Sequence, residues 1–207
     1  MSPPLPPTDA QYFDEDPSVP SQPATVDLYL PDLHLSLETD RGVFAYDQVD
    51  AGTKLLLARG PSAVESGDVL DIGCGTGAIA LTIAKRRPNV TVWAIDVNSR
   101  ARDLCARNAT ANGLGNVRVC APDDVPADLQ FTEIWSNPPI RIGKAALHAL
   151  LLRWLPRLAP DGMAHLVVQK HLGSDSLQKW LTDQGYATER TGSASGYRIL
   201  TSRCAAG

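Results

Sequence analysis

From residue 68 onward the chain repeats one order of apolar and polar positions. A short apolar run ends at a glycine, asparagine or acidic residue. A longer segment follows, with apolar residues three and four apart. The runs at 68–72, 90–96, 116–120, 131–136 and 163–169 predict strands, and 77–86, 99–111, 144–158 and 174–183 predict helices. In 99–111, Ala101, Leu104, Cys105 and Asn108 share one face, and Asn112-Gly113 marks its stop. In 144–158, Leu147, Leu150, Leu151, Trp154 and Leu158 form a stripe that reads as core. Tyr186–Arg190 and Tyr197–Thr201, joined by residues 191–196, close the chain as a strand pair that adds one antiparallel strand. Strands alternating with helices at this spacing predict an α/β fold: a doubly wound, mostly parallel sheet of seven strands.

Upstream the pattern is weaker. Residues 1–26 are proline-rich with few apolar side chains, and read as a disordered or loosely attached arm. Between Asp27 and Glu38, partial alternation broken by Pro31-Asp32 predicts two short strands and a turn. Lys54–Arg59 reads as a helix with Asp50 as a candidate N-cap. The division is therefore an arm (1–26), an N-terminal segment (27–66) set over the mouth of the glycine turn described below, and the α/β domain (67–207).

Composition narrows the class. The 207 residues suffice for one large core. No apolar run approaches the ~18 residues a spanning helix needs, and the N-terminus has no signal-peptide pattern. The four cysteines, at 74, 105, 120 and 204, contain no CxxC, which argues for cytosolic thiols and against a metal or disulfide frame. A cytoplasmic protein is expected. Net charge is −4, but residues 1–66 carry 3 basic and 11 acidic side chains while 139–207 carry 9 and 4. The C-terminal third can face a polyanion that the N-terminal third repels.

The chemistry concentrates in two turns. The first is Asp71-Ile72-Gly73-Cys74-Gly75-Thr76-Gly77, three glycines at every second position between a strand and a helix. Glycine enters φ > 0 and lets a ligand lie on the main chain, and the helix start adds a positive dipole end. Asp71, two residues before the first glycine, is an acid that dinucleotide turns do not usually need; it suits a ligand ammonium. Asp96, closing the next strand, suits the hydroxyls of a ribose, and Val97 follows it. Ammonium at one end and ribose at the other fit S-adenosylmethionine better than NAD. Cys74 reads as a small side chain, not a nucleophile.

The second turn is Ser136-Asn137-Pro138-Pro139-Ile140, at the tip of the fourth strand of the α/β domain. Ligands in such sheets sit beyond the carboxyl ends of the strands. Two prolines fix successive φ angles and remove two N–H donors. An acceptor pair remains, the Asn137 amide oxygen and the Pro138 carbonyl, suited to gripping both hydrogens of an NH2 group. Beside a bound sulfonium methyl, positioning and preorganised acceptors suffice for in-line transfer.

These two turns, with Asp96 and Asn112-Gly113-Leu114, resemble class I S-adenosylmethionine-dependent methyltransferases of the small-domain family. That family includes bacterial 16S ribosomal RNA guanine-N2 methyltransferases. The resemblance extends to Gly42-Val43-Phe44, Asp50-Ala51-Gly52-Thr53, Val168-Gln169-Lys170 with Gly173, and Gly196-Tyr197-Arg198, covering roughly 42–203. It implies that Asp71, Gly73, Cys74, Gly75 and Gly77 hold the methionine end of the cofactor, with Asp96 and Val97 at the ribose. Asp123, or its neighbour Asp124, would receive the adenine amino group. Asn137, with the turn through Pro138, Pro139 and Ile140, would orient the target nitrogen.

Two departures bear on substrate. The family usually has a base-stacking aromatic after the prolines, where this chain has Ile140. Its well-studied two-domain members also carry an extra N-terminal domain of the same fold. The implied partner is ribosomal RNA or the small ribosomal subunit, met through the basic C-terminal third, with Arg141, Lys144, Lys170, His171 and Arg198 as candidates. A protein glutamine amide or an adenine amino group offers the same conjugated NH2. A non-catalytic module that binds the cofactor is the reading outside the enzyme class.

Overall fold

The computed structural model describes residues 16–60 and 65–204. Its framework is a seven-stranded sheet built from β3 (Gly67–Ile72), β4 (Val90–Ile95), β5 (Val117–Cys120), β6 (Phe131–Ser136), β7 (Leu158–Gln169), β8 (Tyr186–Ala194) and β9 (Tyr197–Cys204). The spatial order is β5-β4-β3-β6-β7-β9-β8. β3 through β7 pair in parallel, while β9 runs antiparallel to both neighbours. The order reverses between β3 and β6, so a crevice opens beyond their carboxyl ends. Both chemistry-bearing turns lie there.

Alternate residues of the strands feed two cores. Val69 faces one with α1 (Ala51–Arg59), α2 (Ala78–Arg86) and α3 (Ser99–Ala111); Leu70 faces the other with α4 (Lys144–Trp154) and α5 (Ser174–Asp183). A separate hairpin of β1 (Ala24–Leu30) and β2 (Leu33–Thr39) buries Leu28, Leu35 and Leu37 completely in the first core. No helix among the described residues is long and apolar enough to cross a membrane.

Several boundaries differ from the expected ones. α4 stops at Trp154 because Pro156 cannot continue a helix, and Leu155–Arg157 tightens into a 3-10 turn. The closing strands reach inward to leave only Ser195-Gly196 between them, with φ of 50° and 81°. Two successive residues at positive φ make a tight hairpin turn whose twist matches the strands. Residues 1–15 of the proline-rich arm lie outside the described residues. Residues 16–23 lie against α3 and the loop after β2, and residue 24 already begins β1. Asp40 accepts from Ser21 Oγ and the Gln22 amide (2.6 and 2.5 Å), and Arg100 reaches the carbonyls of Val19 and Arg41.

Candidate active site

The glycine turn separates its three glycines by purpose. Gly73, Gly75 and Gly77 all have positive φ (73°, 54° and 94°). A Cβ at Gly73 or Gly75 would meet no atom within 4 Å, so these two leave open space along the main chain. A Cβ at Gly77 would come within 2.5 Å of Leu81 and 2.9 Å of Cys105 Sγ, so the third glycine lets α2 pack on α3. The turn is fixed from below. The Gly73 and Cys74 amides both donate to the Ile95 carbonyl at 2.9 Å, and the Gly75 amide to Asp96 Oδ2 at 2.9 Å.

Asp71 is fully buried. Its Oδ2 accepts from the Ala80 amide in the first turn of α2 at 3.0 Å, while Oδ1 has no hydrogen-bond partner. Burial, opposed by the Ala80 bond and reinforced by the nearby Asp96 charge, pushes its carboxyl up to about 8. An orphaned buried carboxyl oxygen beside an open glycine turn fits an ammonium-bearing cofactor end, whose positive charge would favour release of the carboxyl proton. Burial also raises Asp96, whose Oδ1 accepts from the Asn98 amide at 3.0 Å. Arg102 holds this strand tip through the carbonyls of Asp96 and Val97 (2.9 and 2.7 Å), and Val97 stays 45% exposed as an apolar face beside the carboxylate. The Cys74 thiol is buried against Cys105 and pushed well up by that contact and by burial, which leaves it inert. Asp123 is exposed, in the 3-10 turn after β5, and its carboxylate pairs with Arg153 of α4 at 2.7 Å.

Asn137 stands across the crevice. Its Nδ2 donates to Asp50 Oδ2 at 2.8 Å and to Thr53 Oγ1 at 3.1 Å. Pro138 is buried, and its carbonyl accepts from the Ile140 amide at 2.8 Å, closing a three-residue turn about Pro139 (φ −72°, ψ 78°). One lone pair of that carbonyl remains. One cleft joins the two turns: Gly73–Thr76 line it together with Asn137, Asp50 and Thr53, and Phe44, Ala45 and Val49 line it as well.

The local sequence pattern points to Asp50 only as a helix cap, and to no role for Tyr197 or Phe44. Asp50 does cap α1, with Oδ2 accepting from the Gly52 and Thr53 amides at 2.7 and 3.1 Å; its Oδ1 also accepts from Tyr197 Oη at 3.1 Å. Only a contact 147 residues apart in sequence reveals that role. Among the basic candidates, Arg141, Lys144, Lys170 and His171 are exposed. Arg198 is withdrawn as an RNA contact, because its guanidinium is buried on Ser174 Oγ and the Asp175 carboxylate.

The sequence matches the model of the methyltransferase small domain over residues 34–201. The uncharacterized protein YbxB of Bacillus subtilis is 33% identical over 195 residues, which are 93% of this chain and 97% of that protein. Ribosomal RNA small subunit methyltransferase C of Shewanella halifaxensis is 35% identical over 136 residues, which are 63% of this chain and 39% of that protein. The matched region thus spans about two fifths of the length of that relative. The T. thermophilus 16S rRNA N2 methyltransferase RsmC, solved with AdoMet and guanosine, shares the fold with a TM-score of 0.77 and 23% identity. That match covers 91% of this chain and 52% of the other. On its sequence and its fold, the chain belongs to the methyltransferase small domain family of class I S-adenosylmethionine-dependent methyltransferases.

Proposed function

We propose that this protein transfers a methyl group from S-adenosylmethionine to an exocyclic amino group, with guanine N2 of small-subunit ribosomal RNA as its target. One observation carries the reading. Asn137 has its amide nitrogen committed to Asp50 and Thr53, so it offers its oxygen to the cleft that contains the glycine turn. Two relatives support the RNA target: the one named ribosomal RNA small subunit methyltransferase C, and the RsmC structure solved with guanosine.

Asp71 Oδ1 would take the cofactor's ammonium, Gly73 and Gly75 would let its chain lie on the backbone, and Asp96 and Val97 would meet the ribose end. Asp123 would turn from Arg153 to the adenine amino group. S-adenosylmethionine supplies an electrophilic methyl on sulfur when bound there. The chain's own part is acceptance and alignment. Asn137 Oδ1 and the remaining lone pair of the Pro138 carbonyl would each accept a hydrogen bond from the target NH2. This draws the nitrogen lone pair out of conjugation and aims it across the cleft. When the N–C bond forms, the C–S pair would stay on sulfur and the nitrogen would lose one proton to solvent. Ile140 gives the base an aliphatic face. Arg141, Lys144, Lys170 and His171 would meet phosphates, and such a substrate places the enzyme in the cytoplasm.

The test is transfer of labelled methyl to ribosomal RNA, small subunits, DNA and cell-extract protein, each offered separately. Recovery of N2-methylguanine from RNA or small subunits is the expected result. Label confined to protein would move the target to a glutamine amide. No label anywhere, with cofactor binding intact, would make the chain a non-catalytic module.

A further inference from the structure

An asparagine side chain carries an oxygen and an NH2 of nearly equal size, and half a turn about its last torsion exchanges them. Asn137 can grip a substrate amine only with the oxygen forward. The flipped amide would set one NH2 against another. The side-chain bonds that tell its two ends apart come from outside the Asn-Pro-Pro turn, from Asp50 and Thr53.

Asp50 supplies the selection. A carboxylate only accepts, so the flipped amide would press its oxygen against Asp50 Oδ2, at the 2.8 Å now spanned by an N–H. Thr53 Oγ1 gives the same nitrogen a second acceptor. Asp50 cannot turn away. Its Oδ2 is also pinned by the Gly52 and Thr53 amides and its Oδ1 by Tyr197 Oη, which in turn accepts from Gln169 Nε2 at 2.9 Å. The close approach of Tyr197 is built into the chain. A Cβ at Gly52, whose φ is not positive, would lie 2.6 Å from the tyrosine ring. Burial, with the Asp50 carboxylate adding to it, raises the Tyr197 phenol above its ordinary value and keeps it a donor.

We propose that Asp50 is a positioning residue for the transfer step, with Tyr197 and Gln169 as its support, because it fixes which end of the Asn137 amide faces the substrate. This rests on the acceptor role proposed for Asn137. It deepens that role into a selectivity: a fixed pair of acceptors is matched by a planar NH2 and only half matched by a hydroxyl.

The test uses the full chain with labelled S-adenosylmethionine and small ribosomal subunits, and follows kcat, KM and cofactor affinity separately. Asp50→Ala is expected to lower kcat about a hundredfold, the scale of a misplaced catalytic group, with cofactor affinity and KM little changed. Asp50→Asn keeps an accepting oxygen and recovers most of that loss. Thr53→Val and Tyr197→Phe leave the helix cap in place and lower kcat by smaller factors. Loss confined to cofactor affinity, or Asp50→Asn no better than Asp50→Ala, overturns the proposal. A readout free of any acceptor is the Asn137 side-chain NH2 in nitrogen-resolved NMR. It is expected to be protected from solvent exchange in the native chain and to lose protection in Asp50→Ala and Thr53→Val. Equal protection in all three would also overturn it. Asn137→Ala with unchanged transfer would instead remove the acceptor reading itself.

Discussion

Asn108 on α3 donates its side-chain amide to the Thr76 carbonyl in the glycine turn at 2.9 Å. The same side chain accepts from the Glu38 amide at 2.7 Å and donates to the Glu38 carbonyl at 2.9 Å. One fully buried carboxamide thus ties the edge of β2 to the glycine turn. Asn108→Ala leaves three backbone groups without their partner. It should cost about 1–3 kcal/mol per buried group left unsatisfied, and a calorimetric melt should show a midpoint lower by several degrees. Cofactor affinity should fall with it, since the turn loses a brace. An unchanged affinity would show that the hairpin does not steady the turn.

The buried Asp71 makes stability depend on pH. Its carboxyl sits at about 8 in the folded chain against 3.8 ordinarily. The folded state therefore holds a proton that the unfolded state has released. Its contribution is full below pH 3.8 and fades as pH rises toward 8, each unit of displacement being worth about 1.4 kcal/mol. Denaturation followed across pH 6.5–8 should show falling stability. Asp71→Asn should flatten that slope and weaken cofactor binding at least tenfold. A flat native profile would mean the carboxyl is not buried as described.

His165 acts in the opposite sense. Burial, with Arg87 nearby, lowers it to about 4 from 6.5, and its Nε2 lies 4.0 Å from Glu133, too far for a hydrogen bond. Buried neutral, it contributes stability above pH 6.5 that is lost as pH falls toward 4. Between pH 4 and 6.5 it partly offsets Asp71. His165→Phe should therefore steepen the decline of stability with rising pH in that window, and leave pH 6.5–8 as it was.

Asn137→Ala should lower methyl transfer by about 10²–10³ while cofactor affinity stays within about threefold, the loss typical of removing one preorganised hydrogen-bonding group from a reaction centre. Single-turnover kinetics beside calorimetric binding would separate the two. Retained transfer would remove Asn137 from the mechanism.

Ile140→Phe tests the base contact. An aromatic stack is worth about 1–3 kcal/mol per base, and an aliphatic face recovers part of that. The variant should lower KM for RNA about fivefold with kcat nearly unchanged. An unaltered KM would mean the target base does not lie against residue 140.

The fold was legible because its strands are short apolar runs ending in residues that cannot continue them. Gly73, Asp96 and Asn137 all stand just past a strand end, where ligands of this sheet type gather. Asn108 left a signal in the pattern, a polar side chain on an apolar helix face, but not the carbonyls it meets. Pro156 lies inside the apolar stripe read as helix over 144–158, and the stripe's spacing alone does not show that the helix ends before it. The Asp50–Tyr197 bond and the burial of Arg198 had no local signature. Each depends on a partner brought alongside only by the sheet. The basic count of residues 139–207 hid this too: Arg153, Lys179, Arg190, Arg198 and Arg203 are all paired with carboxylates.

The reversed strand β9 has a consequence for biosynthesis. It follows β8 in sequence, yet it lies inside the sheet between β7 and β8, and its first residue reaches Asp50, 147 residues earlier. A nascent chain that has passed β7 already holds the glycine turn and Asn137 but lacks the tyrosine that steadies Asp50. Such long-range closure is slow relative to local folding. Translation must therefore run through β9 before the Asp50–Asn137 contact is locked, and truncated products that stop short of it should be inert even where their first five sheet strands have formed.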